Sequence, residues 1–184
     1  MTREELEHAI RAACDVAQDR EVYVFGSQAI LGQYAEAPES LRQSAEADIA
    51  PAHAADMVDA IDASLGELSS FHQTYGYYVH GVPISAAVLP DGWERRAKAV
   101  RTAGTNGAVG WCVEAHDLAA SKLVAFRDKD REFVRILLAH GLIKARTLRL
   151  RIGQLPRNDR VPEELRTRML QWLSGTLRDL GRAT

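Results

Sequence analysis

Glu46 and Asp48 stand one residue apart in Ala45-Glu-Ala-Asp-Ile-Ala50. On a strand, side-chain direction repeats every two residues, so both carboxylates would project from one face. Two hard oxygen donors on one face suit a Mg²⁺ ion carried by a nucleoside triphosphate. Upstream, the apolar run Val22-Tyr-Val-Phe25 stops at Gly26-Ser27. A buried strand that runs into small residues ahead of a helix lets backbone N–H groups approach a phosphate closely. A phosphate cradle and a carboxylate pair together point to transfer of a nucleotidyl group. Each feature also has a plainer reading. Ser27 could simply cap the helix after it, and Glu46 and Asp48 could be edge charges that discourage sheet-to-sheet pairing.

The surrounding pattern supplies elements to hold these residues. Thr2-Arg-Glu-Glu5 predicts a capping box, and Leu6, Ile10, Ala13 and Val16 recur behind it at helical spacing. A strand is expected over 21–25, a short helix over 27–32 and a loop with at most one helical turn over 34–44. The second strand covers 47–50. Pro51 is placed to open a helix whose apolar face is Met57, Val58, Ile61 and Leu65, ended by Gly66. Gly81 and Pro83 favour a hairpin between strands over 75–80 and 82–89. A helical turn over 93–98 and two late strands, 99–102 and 109–113, flank the turn-prone Asn106-Gly107. Helices over 117–126 and 130–140 follow, and Pro162 to Leu180 forms a final amphipathic helix. The order predicts an α/β (α+β) fold, a small mixed sheet flanked by helices. The expected organisation is a domain over 1–141 and a basic helical C-terminal extension over 142–184.

With these elements in view, the chain resembles the nucleotidyltransferase superfamily of polymerase beta and the AbiEii-type toxins. Gly26-Ser27 matches the superfamily's Gly-Ser, and Glu46-x-Asp48 matches its acid-x-acid pair, with Glu in place of the usual first Asp. Asp117-Leu-Ala-Ala-Ser-Lys-Leu-Val-Ala-Phe-Arg-Asp-Lys-Asp130 looks like the Lys-containing helical stretch of the toxin-like branch. The resemblance spans roughly residues 20 to 140. It implies Mg²⁺-dependent transfer of a nucleoside monophosphate from a triphosphate to an acceptor hydroxyl. In that reading Gly26, Ser27, Lys122 and Arg127 bind nucleotide, Glu46 and Asp48 hold the metal, and Asp130 acts as a base or orients Lys122. Asp130 could equally cap its helix, and Lys122 could be an ordinary snorkelling lysine. The toxin-like branch further implies tRNA or another RNA as acceptor and a cognate antitoxin as partner.

Two departures from the superfamily pattern stand out. The interval from Ser27 to Glu46 is longer than usual. The strand expected to carry a third carboxylate reads Pro83-Ile-Ser-Ala-Ala-Val-Leu89, which has no acid, and Asp91 is the nearest candidate. They keep open a catalytically inactive nucleotide-binding module, and the resemblance to the superfamily also implies, as an alternative, an enzyme that nucleotidylates (AMPylates) protein.

Composition narrows the field. The chain has 184 residues, 46% of them hydrophobic, which suffices for a buried core. It lacks a run of about eighteen apolar residues, so no membrane partner is expected, and its acidic start does not read as a signal peptide. Cys14 and Cys112 are too few for a disulfide framework and predict reduced core thiols in a cytoplasmic protein. Net charge is only −2, yet ten of the 23 Lys and Arg lie within residues 142–184 against four of the 25 acids. That asymmetry suits a polyanion, though a solvated basic face would read alike.

Overall fold

Capping, strand length and non-local pairing account for the first half of the chain. The computed structural model describes residues 1–181. Helix α1 (Arg3–Ala17) opens on the expected box: the Thr2 side chain accepts from Glu5 N–H, and Glu5 accepts from Thr2 N–H. Leu6, Ala9, Ile10 and Ala13 are fully buried along one face. Strands β1 (Glu21–Phe25), β2 (Glu46–Pro51), β3 (Tyr78–Gly81), β4 (Lys98–Val100) and β5 (Val109–Cys112) form one sheet in the order β3-β2-β1-β5-β4. β1 is antiparallel to β2 and parallel to β5; β2 is parallel to β3, and β4 antiparallel to β5. Val22, Val24, Ala47, Ile49, Val79, Val100 and Cys112 are sealed from solvent. Ile10 of α1 fills the space where a Cβ at Gly110 of β5 would lie, which fixes the helix against that part of the sheet.

The chain divides into two compact units. The first comprises Met1–Ala87 and Glu94–Glu114, and holds the whole sheet with α1, α2 (Val58–Leu65) and α3 (Ser70–Tyr75). The second comprises Val88–Trp93 and the chain from Ala115 onward. It is helical: α4 (Ala115–Ala125), α5 (Asp128–Ala139), α6 (Ala145–Gly153) and α7 (Glu163–Asp179). Leu148, Ile152, Met169 and Leu173 are buried along α6 and α7.

Several expectations change. Pro51 ends β2 instead of opening a helix, and α2 starts only at Val58 after a 3₁₀ turn over Ala55–Met57. The hairpin over 75–89 does not form. Residues Ser70–Tyr75 are helical, Gly76 closes that helix at φ 75°, and β3 is only Tyr78–Gly81. Its partner is the distant β2, while Pro83 leads into a 3₁₀ turn over Ile84–Ala86. The element over Ser27–Gly32 is a 3₁₀ helix entered from Gly26 with no side-chain cap bond, so Ser27 does not serve as its N-cap. Within the expected helical extension over 142–184, α6 and α7 are separate helices.

Candidate active site

β2 begins where Ser44 Oγ accepts from Glu46 N–H at 3.1 Å. Gln28, fully buried beyond the Gly26-Ser27 turn, donates to Ser44 O at 3.0 Å and so ties that turn to the entry of β2. At the start of β2 the half-buried Glu46 and Asp48 alternate with the buried Ala47 and Ile49, so the two acids share the more open side. Their carboxylates converge on β3. In the parallel register Asp48 faces His80 and Glu46 faces Tyr78. His80 Nδ1 lies 2.9 Å from Glu46 Oε1 and 3.1 Å from Asp48 Oδ1. The Tyr78 hydroxyl donates to Glu46 Oε2 at 3.3 Å. Ligand atoms of Glu46, Asp48 and His80 all lie within 4.8 Å of one another.

Gly26 meets this cluster at the end of β1. Its φ of 69° and ψ of −166° belong to a region essentially reserved for glycine. A Cβ there would overlap the Asp48 carboxylate. Conformation and space therefore both demand glycine, and the turn and the acid are one structural feature.

Electrostatics reflect the crowding. Burial, then the neighbouring Glu46 carboxylate, push the Asp48 carboxyl up to about 6 against the pull of His80. Burial works to lower the His80 imidazolium, but its hydrogen bond to Asp48 and the charges of Asp48, Glu46 and Asp62 win and raise it. His80 Nδ1 stands within hydrogen-bond reach of both carboxylates. Burial and Glu46 likewise raise the Tyr78 phenol to about 12, so it remains a donor. The two carboxylates and the imidazole could together hold a cation.

From the sequence alone His80 reads as a structural or capping residue with no defined partner, whereas its imidazole reaches both Glu46 and Asp48. Residues 83–89, expected to form a strand, hold only a 3₁₀ turn over Ile84–Ala86, and the strand beside β2 is Tyr78–Gly81. Asp91 belongs to the second unit, where its N–H donates to Gln154 O at 2.9 Å.

The other candidate residues form a cluster within the second unit. Phe126, at φ 53°, breaks the chain between α4 and α5. That break brings Lys122 and Arg127 together, which a continuous helix would not do at five-residue spacing. Lys122 Nζ is 3.5 Å from Asp130 Oδ1, and Arg127 Nε donates to Asp130 Oδ2 at 2.6 Å. Asp130 is 1% exposed and Lys122 also lies over the Phe133 ring at 4.9 Å. The N-cap of α5 is Arg127, not Asp130. Beside them, Arg131 and Arg168 lie over the Phe126 ring. In the same unit Arg166 is 5% exposed and donates to Ile152 O and Leu155 O, and Arg151 pairs with the fully buried Asp117 at 2.9 Å. Several C-terminal arginines are therefore committed to the fold. His116 Nε2 accepts from Lys144 N–H at 2.9 Å.

A mixed sheet whose second strand carries two carboxylates beside a glycine turn has the layout of a nucleotidyl-transferring domain. Residues 4–171 match the family described as nucleotidyltransferase of unknown function (DUF6036), and the chain belongs to that family. No curated protein and no solved structure matches it significantly. Cys14 and Cys112 are buried free thiols, each raised to about 12 by burial above all. Among the described residues, no helix is long and apolar enough to cross a membrane.

Proposed function

We propose that this protein transfers a nucleoside monophosphate from a nucleoside triphosphate to an acceptor hydroxyl on RNA, with tRNA the first acceptor to test. The acceptor oxygen forms a bond to the α-phosphorus, the bond from that phosphorus to the bridging oxygen of the β-phosphate breaks, and pyrophosphate leaves. The hydroxyl proton passes to solvent or a nearby base. The observation that carries the reading is the convergence of Glu46, Asp48 and His80 beside Gly26, in a chain of nucleotidyltransferase family. The donor set fits a divalent cation, with two carboxylates and an imidazole able to reach one point. When bound, that ion would offset triphosphate charge and polarise the α-phosphate.

Gly26 and Ser27 contribute backbone N–H groups that the phosphates can approach. Lys122, Arg127 and Asp130 enter as a separate charged cluster, in which Asp130 orients the two cations. A role as the toxin of a toxin–antitoxin pair agrees with the basic second unit and the Lys-containing helix, and would place the protein in the cytoplasm with a cognate antitoxin.

One observation favours a second reading. No carboxylate lies on β3, where His80 stands instead, so the domain could bind nucleotide without turnover. Incubation with each α-³²P nucleoside triphosphate, divalent cation, total tRNA and cell protein separates the cases. Label on tRNA, absent with Asp48→Asn, supports the proposal. Label on protein assigns a protein-modifying enzyme, and bound nucleotide without any labelled acceptor assigns the inactive module.

A further inference from the structure

The superfamily resemblance calls for Mg²⁺, yet the third group in the cluster is not an oxygen donor. Mg²⁺ demands oxygen ligands in a near-octahedral set and holds its waters tightly. Imidazole instead raises affinity for first-row transition cations, in the order in which their ligand bonds strengthen. We propose that His80 is a direct cation ligand through Nδ1, and that its nitrogen makes the site at Glu46 and Asp48 prefer a transition divalent cation such as Mn²⁺ or Co²⁺ over Mg²⁺. This deepens the nucleotidyl-transfer reading by naming the cofactor class, and rests on it only for what the ion is used for.

Three features support it. First, the imidazole is placed by backbone pairing: Asp48 and His80 are partners in the parallel β2–β3 register, two residues of short reach on adjacent strands. Second, the three inner donor atoms face one another, with Nδ1 at 2.9 Å from Glu46 Oε1 and 3.1 Å from Asp48 Oδ1. Third, one outer oxygen is engaged elsewhere: Tyr78 donates to Glu46 Oε2, while Asp48 Oδ2 occupies the space that a Cβ at Gly26 would need. Such an outer hydrogen bond orients a ligand toward a metal and holds it there. The cluster thus presents two carboxylate oxygens and one nitrogen toward one point.

The test uses the full chain stripped by chelator and titrated with Mn²⁺, read by electron paramagnetic resonance. The expected result is nitrogen hyperfine modulation from one imidazole on the bound Mn²⁺. It should change on ¹⁵N-histidine labelling and vanish in His80→Asp, whose folding is checked by thermal melting. Mg²⁺ should displace Mn²⁺ from the native protein only at about tenfold or greater excess, with the ratio falling about tenfold in His80→Asp. Bound Mn²⁺ without nitrogen modulation, or modulation unchanged in His80→Asp, would overturn the inference. Transfer of α-³²P label in Mg²⁺ alongside that negative result leaves the nucleotidyl-transfer reading intact. Nitrogen-coupled Mn²⁺ without any label transfer would keep the ligand assignment and sink the transfer reading. No cation binding at all, with no transfer, removes both.

Discussion

Gly26 leaves open the volume into which Asp48 extends its carboxylate, because a Cβ at position 26 would overlap Asp48 Oδ2. The end of β1 and the middle of β2 are thereby coupled through one missing methyl group. Antiparallel pairing sets this up, since Phe25 and Asp48 are register partners.

Gly26→Ala should therefore do two things together. The left-handed φ of 69° with extended ψ is strained for any side chain, at roughly 1–3 kcal/mol. The Asp48 carboxylate must also swing away from His80. Denaturant melts should show the stability loss, and calorimetry with Mn²⁺ should show cation affinity falling at least about tenfold. Full affinity in a stably folded Gly26→Ala protein would contradict the coupling.

Cation binding should strengthen with pH. A ligand carboxylate must be ionised and a ligand imidazole neutral at Nδ1, so protons compete with the ion. Asp48 is raised to about 6 and His80 is raised above its ordinary value. Affinity should therefore climb as pH rises through about 6, the raised Asp48 value, and on past the ordinary imidazole value of 6.5, then level off. The metal-free protein behaves oppositely. Both groups bind protons more tightly folded than unfolded, so their contribution to stability falls as pH rises through that range. Thermal melts at two pH values, with and without cation, should show the larger metal-induced rise in Tm at the higher pH.

Asp19 and His53 make a second pH-dependent clamp, away from the acid pair. Asp19 accepts from Glu21 N–H at 3.1 Å and from His53 N–H at 2.7 Å, and lies 3.1 Å from His53 Nδ1. Burial pushes the Asp19 carboxyl up, but the hydrogen bonds from His53 and Glu21 outweigh it and hold it low; His53 is raised by the bond to Asp19. Stability from Asp19 is present above its unfolded value near 3.8 and is lost as pH falls through its lower folded value. Stability from His53 is present below 6.5 and lost as pH rises through its higher folded value. Asp19→Asn should weaken the first unit by about 1 kcal/mol near pH 5.5, since part-buried N–H donors lose a charged acceptor. Urea titrations across pH check both slopes.

Asp130 anchors the junction of α4 and α5 with Lys122 and Arg127 on one buried carboxylate. Asp130→Ala removes this carboxylate from the partly buried Lys122, while Arg127 is largely exposed, and should destabilise by roughly 1–3 kcal/mol. Lys122→Met keeps the Arg127 pair and should be milder. If Lys122 also serves nucleotide, Lys122→Met lowers nucleotide affinity at nearly unchanged Tm. Equilibrium binding of a labelled triphosphate alongside melting separates the two effects.

Much of the first unit could be read along the chain because its signals are local. The Thr2 and Glu5 box, the strand over Glu21–Phe25 and the Glu46-x-Asp48 alternation all act within a few residues. His80 escaped because β3 is four residues long and its pairing with β2 spans more than thirty residues of sequence. Gly81 and Pro83 resembled a hairpin, whereas the strand they follow pairs in parallel. Convergence of Lys122 and Arg127 on Asp130 was hidden for another reason. It depends on the left-handed Phe126, a conformation that bulky residues rarely adopt and that no helical spacing rule anticipates.

The acid pair carries the central claim, and pyrophosphate release tests it most directly. Native protein and the Glu46→Gln/Asp48→Asn double variant would be compared with each nucleoside triphosphate, Mn²⁺ or Mg²⁺, and RNA acceptor. Both proteins would first be shown by melting to be folded. The account predicts release by the native chain with at least one nucleotide, and a loss of about a hundredfold or more in the variant. A folded double variant that releases pyrophosphate at the native rate would contradict it.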